Sequence, residues 1–207
     1  MKIFRGVFSP IQVNTYIITG NDRECIVIDC GCYGEEEEKR LEEMLASRGL
    51  TPVMLLDTHC HLDHVFGNRF MLERYGLRSW FHEGDRPNYL NAPKHSLMFG
   101  LLMEPPPDPA GFLADGQEIT AAGVNLKVIA VPGHSPGGIA LWSESDGVVF
   151  TGDALFAGSV GRSDLPGGDH EQLMDNIRER LFTLPRETVV YPGHGPETTI
   201  RQEMETN

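Results

Sequence analysis

The segment Thr58-His59-Cys60-His61-Leu62-Asp63-His64 places four ligand-type side chains within six residues. It follows the apolar run Val53-Met54-Leu55-Leu56, which reads as a buried strand. His59 and His61 are two apart, so in extended chain they project to the same side and both can reach one metal ion. Asp63 and His64 come where the chain must turn toward the next helix, so they can aim at a second position nearby. Imidazole and carboxylate together suit zinc, iron or manganese. A merely solvated loop has no reason to concentrate histidine directly after a strand. Cys60 alternates away from His59 and His61, which assigns it to packing rather than ligation.

Three later segments repeat one theme, a strand running into glycine and then a ligand-type residue. They are Val131-Pro132-Gly133-His134, Phe150-Thr151-Gly152-Asp153 and Tyr191-Pro192-Gly193-His194. Glycine permits a sharp turn and a close backbone approach. Strand ends are where open α/β sheets gather their sites. The chemistry follows: two neighbouring divalent ions share a water and acidify it, giving a hydroxide nucleophile near neutral pH, and they polarise a substrate carbonyl. Asp63 can also orient that nucleophile or accept its proton. His82, His95 and His170 stand apart from these motifs and are not expected to be ligands.

The elements that must position these residues alternate along the chain. Strands are expected at residues 2–8, 14–19, 25–29, 53–56 and 78–81, with helices at 35–48 and 67–75. Glu35 to Glu38 fall in the first turn of a helix, where negative charge is favourable, so they read as a solvated helix start. Residues 83–114, with Pro105-Pro106-Pro107 and Pro109, read as an irregular insertion holding a short helix at 94–103, the kind of segment that forms a lid or rim. In the second half, strands are expected at 117–120, 125–131, 139–142, 148–151 and 188–191, and helices at 170–181 and 197–205. The whole of 1–207 reads as one domain, and two similar halves suggest two αβ layers packed sheet to sheet.

Composition narrows the function. The 207 residues carry 17 Lys plus Arg against 30 Asp plus Glu, a formal net charge of −13, which disfavours nucleic acid as a partner. No apolar run is long enough for a membrane span, and no signal-peptide core follows Met1, so a cytoplasmic location is expected. Cys25, Cys30, Cys32 and Cys60 have no zinc-ribbon spacing and are too few for a disulfide scaffold.

His59-x-His61-x-Asp63-His64, then His134, Asp153 and His194, resembles the metallo-β-lactamase superfamily, and within it the glyoxalase II-like hydrolases. The match runs from Asp29-x-Gly31 to His194. It implies a four-layer αββα sandwich with two metal ions at one edge of the sheets. Carried over position by position, His59, His61 and His134 hold the first ion, Asp63, His64 and His194 the second, and Asp153 bridges them. Asp29 would orient a ligand histidine from behind. The implied cofactors are two divalent ions, zinc foremost, with iron or manganese as alternatives. The implied catalytic centre is His59, His61, Asp63 and Asp153, and the implied partner is a small-molecule thioester.

Other branches fit less well. The secreted β-lactamases generally have cysteine where Asp153 stands and lack the equivalent of His64 as a ligand. The segment Gly161-Arg162-Ser163-Asp164-Leu165-Pro166-Gly167-Gly168-Asp169 resembles small bacterial glyoxalase II-like proteins. Arg162 falls near the lysine that holds glutathione in the family and is a candidate substrate residue. Full-length glyoxalase II continues into a helical glutathione-binding domain, whereas 13 residues follow His194 here. Thioester hydrolysis is therefore better supported than glutathione specificity. The runner-up is a persulfide dioxygenase, which shares a cysteine at Cys60 and holds one iron through the equivalents of His59, His134 and Asp153. Retention of every second-metal ligand favours hydrolysis. A non-catalytic metal-binding protein is the third reading, weakened because a chain of this length can fold on its core. The oligomeric state is left open.

Overall fold

A computed structural model describes residues 1–21 and 23–207. The first half runs β1 (Lys2–Phe8), β2 (Val13–Thr19), β3 (Glu24–Ile28), α1 (Glu35–Ala46), β4 (Thr51–Leu56), α2 (Leu62–Val65), α3 (Asn68–Tyr75), β5 (Ser79–His82), a 3₁₀ turn (Glu83–Asp85), α4 (Arg86–Met98) and β6 (Gly111–Leu113). Its six strands lie side by side in chain order, antiparallel through β3 and parallel from β3 to β6. The second half runs β7 (Glu118–Ala121), β8 (Val124–Ala130), β9 (Ile139–Ser143), β10 (Val148–Gly152), the small hairpin β11 (Leu155–Phe156) and β12 (Ser159–Val160), α5 (His170–Asn176), β13 (Val189–Pro192), β14 (Thr198–Thr199) and α6 (Ile200–Thr206). Its main sheet is ordered β14-β13-β10-β9-β8-β7.

Strand periodicity explains the layering. Every residue of β2 is buried because both of its faces are covered. Tyr16 and Ile18 join Ile26, Ile28 and Leu56 in the core between the sheets, against Leu126, Val128, Leu141 and Phe150 of the second sheet. Ile17, Cys25, Val27 and Leu55 point the other way, under Leu41 and Leu45 of α1 and Met71 of α3. On the far side, Ala140, Val149 and Val190 meet Leu173, Ile177 and Leu181. The result is the αββα order of layers, with three apolar seams rather than one. No described helix is long and apolar enough to cross a membrane.

The insertion is more regular than its sequence suggests. The 3₁₀ turn, α4 and β6 occupy much of residues 83–114, and the helix expected at 94–103 is instead Arg86–Met98. Two features hide it. Pro87 is harmless in the first turn, but Pro93 lies inside the helix, where proline normally argues against one. Apolar residues also occupy both faces: Tyr89 and Ala92 are buried, while Leu90 and Leu97 are exposed, so no amphipathic period shows. At the C-terminus, the helix expected over 197–205 begins later, after β14, where the Thr199 side chain accepts from Gln202 N and caps α6.

Candidate metal centre

The expected ligands converge at one edge of the two sheets. β4 ends at Leu56, and the chain crosses toward the second sheet, where Ile139 N donates to Thr58 O at 2.9 Å. That link carries His59 toward the seam. His61 is extended and stands at the N-cap of α2, whose single turn presents Asp63 and His64. His134 follows β8, Asp153 follows β10 and His194 follows β13. The backbone of Asn14 bonds Gly193 O at 2.7 Å and the Tyr16 hydroxyl bonds Pro192 O at 2.7 Å, which draws the His194 loop onto the first sheet. A Cβ at Gly193 would lie 2.1 Å from Asp153 Oδ1 and 2.7 Å from His64 Cε1, so only glycine lets that loop pass.

Three imidazoles form the first group. His61 Nδ1 lies 2.8 Å from His134 Nε2, which lies 3.2 Å from His59 Nε2. A second group joins Asp63, His64 and His194, with His194 Nε2 3.1 Å from Asp63 Oδ2 and His64 Nε2 3.7 Å from the same oxygen. Asp153 stands between the groups. One of its oxygens is 3.6 Å from His134 Nε2 and 3.5 Å from His194 Nε2, and the other is 3.4 Å from His64 Nε2.

Outer contacts orient the rings of His134, His194, His59 and His64. His134 Nδ1 donates to Arg162 O at 2.6 Å and His194 Nδ1 to Gln12 O at 3.1 Å, leaving both Nε2 lone pairs aimed inward. Asp29 is buried behind the site and accepts from Thr58 N and Thr58 Oγ1, each at 2.7 Å. The hydroxyl, having donated to Asp29, can accept from His59 Nδ1 at 3.2 Å. Asp29 Oδ2, which takes the Thr58 hydroxyl, also lies 3.0 Å from His64 Nδ1.

This donor set fits a pair of cations. His59 Nε2 and His134 Nε2 point at one another within hydrogen-bond distance and cannot satisfy each other once their outer N–H groups are used. His64 Nε2 and Asp153 Oδ1 are buried with no hydrogen-bond partner. Orphaned buried polar atoms are costly, and a shared ion relieves them. Burial, followed by repulsion from His134, pushes His61 down to about 3, the neutral form that coordination requires. Burial opposes charge on His64 too, yet Asp153, Asp63 and Asp29 raise it well above the usual range. The carboxylate field that favours a proton there favours a metal cation equally.

Arg162, the candidate substrate residue, has its guanidinium committed to Asp164, with bonds of 2.7 and 2.8 Å. Its backbone carbonyl faces the site rather than its side chain. Cys60 packs with Leu62, Val65, Phe81 and Tyr89, and burial pushes its thiol well up. His82 Nδ1 caps the following 3₁₀ turn by accepting from Gly84 N. Sequence reasoning missed Thr58 and the carbonyls of Gln12 and Arg162. Thr58 lay beside the motif and could have been found; the carbonyls carry no sequence signal.

The family model described as the metallo-beta-lactamase superfamily matches residues 9–194. The chain belongs to the metallo-β-lactamase superfamily. Hydroxyacylglutathione hydrolase GloC of Haemophilus influenzae is 34% identical, over 96% of this chain and 93% of that protein. The crystal structure of the BLEG-1 B3 metallo-beta-lactamase is similar with a TM-score of 0.91 and 32% identity, covering 100% of this chain and 98% of the other. TTHA1623, solved in a di-iron-bound form, gives a TM-score of 0.89 and 38% identity, covering 99% and 98%. Membership places the chain in a superfamily of metallo-hydrolases that binds divalent metals, and a relative in Bacillus subtilis is described as a probable metallo-hydrolase.

One buried acid near the site has a testable consequence of its own. Asp57 is fully buried, with Oδ2 accepting from Asn68 at 2.8 Å. Burial, then the charge of Asp29, pushes its carboxyl up to about 8. An unfolded aspartate titrates near pH ~4, so between about 4 and 8 the folded state binds a proton that the unfolded state has lost. Stability of the metal-free protein therefore falls as pH rises through that window. Asp57→Asn should raise its Tm, and by more at pH 8 than at pH 5. Melts of both proteins at the two pH values test this; a gain independent of pH would refute it.

Proposed function

We propose that this chain hydrolyses thioesters with two divalent ions held by His59, His61 and His134 on one side and Asp63, His64 and His194 on the other. The observation that carries the reading is Asp153, one carboxylate within 3.6 Å of both ligand groups. Bound there, divalent ions supply Lewis acidity, acidifying water toward neutral pH and polarising a carbonyl. The chain does the rest. Asp63 is nearly buried, and although burial opposes its charge, His64 and His194 hold the carboxyl below its usual range. An ionised Asp63 can orient the attacking water and accept its proton. The outer bonds to His59, His134 and His194 keep the imidazoles from turning during the reaction.

Similarity to a hydroxyacylglutathione hydrolase over almost the full length supports a thioester as substrate. Zinc is the favoured metal on its ligand preferences, with iron or manganese as alternatives. The pairing of Arg162 with Asp164 leaves the thiol carrier open. The test is to purify the protein, measure its metal content, and assay it with S-lactoylglutathione, a chromogenic cephalosporin, and glutathione persulfide with oxygen uptake. Two metal ions per chain and preferential thioester cleavage are expected. One iron per chain with oxygen uptake would falsify the hydrolase, and preferential cephalosporin cleavage would move the substrate class to lactams.

A further inference from the structure

We propose that Asp85 is a positioning residue that ties together the two loops carrying His59, His61 and His134, and so sets the geometry of the first metal group. The inference rests on the metal reading above. Asp85 ends the 3₁₀ turn and opens α4, and it is fully buried. It holds the N-cap position of that helix, yet its side chain makes no capping bond. The carboxylate points the other way. Oδ2 accepts from Cys60 N at 2.6 Å, and Oδ1 accepts from Gly137 N at 2.7 Å.

These two amides belong to the ligand loops. Cys60 lies between His59 and His61, and Gly137 lies three residues after His134. One carboxylate thus spans both loops with one oxygen for each, through charge-assisted bonds stronger than neutral ones. Asn88 Nδ2 lies 3.5 Å from Oδ1 as a weaker third partner. Among the described residues Asp85 joins no ion pair, so these N–H groups carry the compensation for burying it.

The backbone is shaped for this approach. A Cβ at Gly137 would lie 2.4 Å from Asp85 N, and a Cβ at Gly84 would lie 2.8 Å from Pro136 O. The turn and the His134 loop therefore touch backbone to backbone, where a side chain on either would separate them. The second group has its contacts elsewhere: His194 bonds Gln12 O, and His64 faces Asp29 at 3.0 Å. Loss of the Asp85 tether should weaken one group selectively.

Asparagine keeps the shape of Asp85 but offers a single acceptor oxygen and turns an N–H toward the other amide. Metal-free protein is titrated with Co²⁺ and followed by visible absorption, with His134→Ala identifying the step that belongs to the first group. In Asp85→Asn that step should weaken about tenfold or more, the range for outer partners of metal ligands, while the other step changes less than about twofold. Gly84→Ala, made in parallel, keeps the carboxylate but displaces the turn; it should weaken the same step by less, and it decides the matter if Asp85→Asn does not fold. Cobalt steps matching wild type in the variants would overturn the proposal. So would equal weakening of both steps together with a lower Tm of the metal-free variant, which marks a purely structural role. A wild-type protein that takes up no cobalt would instead overturn the metal reading itself.

Discussion

Asp153→Ala should lose metal and turnover together, with kcat/KM falling on the order of a thousandfold or more. The argument is positional. Among the described residues, Asp153 is the one carboxylate that faces His134 of the first group and both His64 and His194 of the second. Burial opposes its charge, but His64, His194 and His134 together hold the carboxyl well below the usual range, which favours the anion a cation needs. Removing it leaves the first group with three neutral imidazoles and strips the second of its shared ligand. The ions should become separately and weakly held, and the electrophile should separate from the activated water. Metal analysis after dialysis against a metal-buffered solution, together with thioester turnover, checks both halves. Asp153→Asn sharpens the result, because it keeps volume and one oxygen while removing the charge; it should fall between alanine and wild type in metal content. Normal turnover in the alanine variant would show that the bridge is not required.

The clustering of the candidate ligands was legible in sequence because each member sits in a short motif at a strand end, where local spacing and glycine carry the information. His59 and His61 do face a common point, and β8, β10 and β13 each deliver one further member of the cluster. The layers were readable because the two halves repeat one order of elements; strand geometry then sends Ile18 and Ile26 to one face and Ile17 and Val27 to the other. What escaped were features set by distant parts of the chain. Helix α4 hides behind Pro93 and its exposed leucines. Asp85 looks like any loop aspartate until the turn is folded against Gly137, 52 residues away. The carbonyls that fix His134 and His194 belong to Arg162 and Gln12, where side-chain identity is irrelevant to the contact. Sequence pattern reports what a residue can do within its own segment, and pairings between segments arise only from tertiary structure.

Asp29 offers the second large effect, because it reaches both groups. Its carboxylate holds Thr58, whose hydroxyl faces His59 Nδ1, and it also faces His64 Nδ1 at 3.0 Å. Its backbone is left-handed, with φ of 53°, a region that asparagine tolerates far better than most residues. Asp29→Asn therefore preserves the turn and isolates the chemistry. The amide can accept from only one Thr58 donor: its N–H₂ faces Thr58 N if the oxygen takes the Oδ2 position, and the Thr58 hydroxyl together with His64 Nδ1 if it takes the Oδ1 position. Stability of the metal-free protein should fall by about 1–3 kcal/mol, the usual range for a buried donor left unpaired. Metal affinity should fall about 10–100-fold, in both cobalt steps rather than one, since His59 and His64 lie in different groups. Asp29→Ala should lose more stability, adding about 1–2 kcal/mol for a β-carbon at positive φ with no polar side chain to offset it. Urea unfolding and cobalt titration of the two variants separate these contributions. If the asparagine variant bound cobalt like wild type while its stability fell, Asp29 would be serving the turn alone. If a single step weakened, only one of the two histidines it faces, His59 through Thr58 or His64 directly, would matter to the metals, and the step affected would say which.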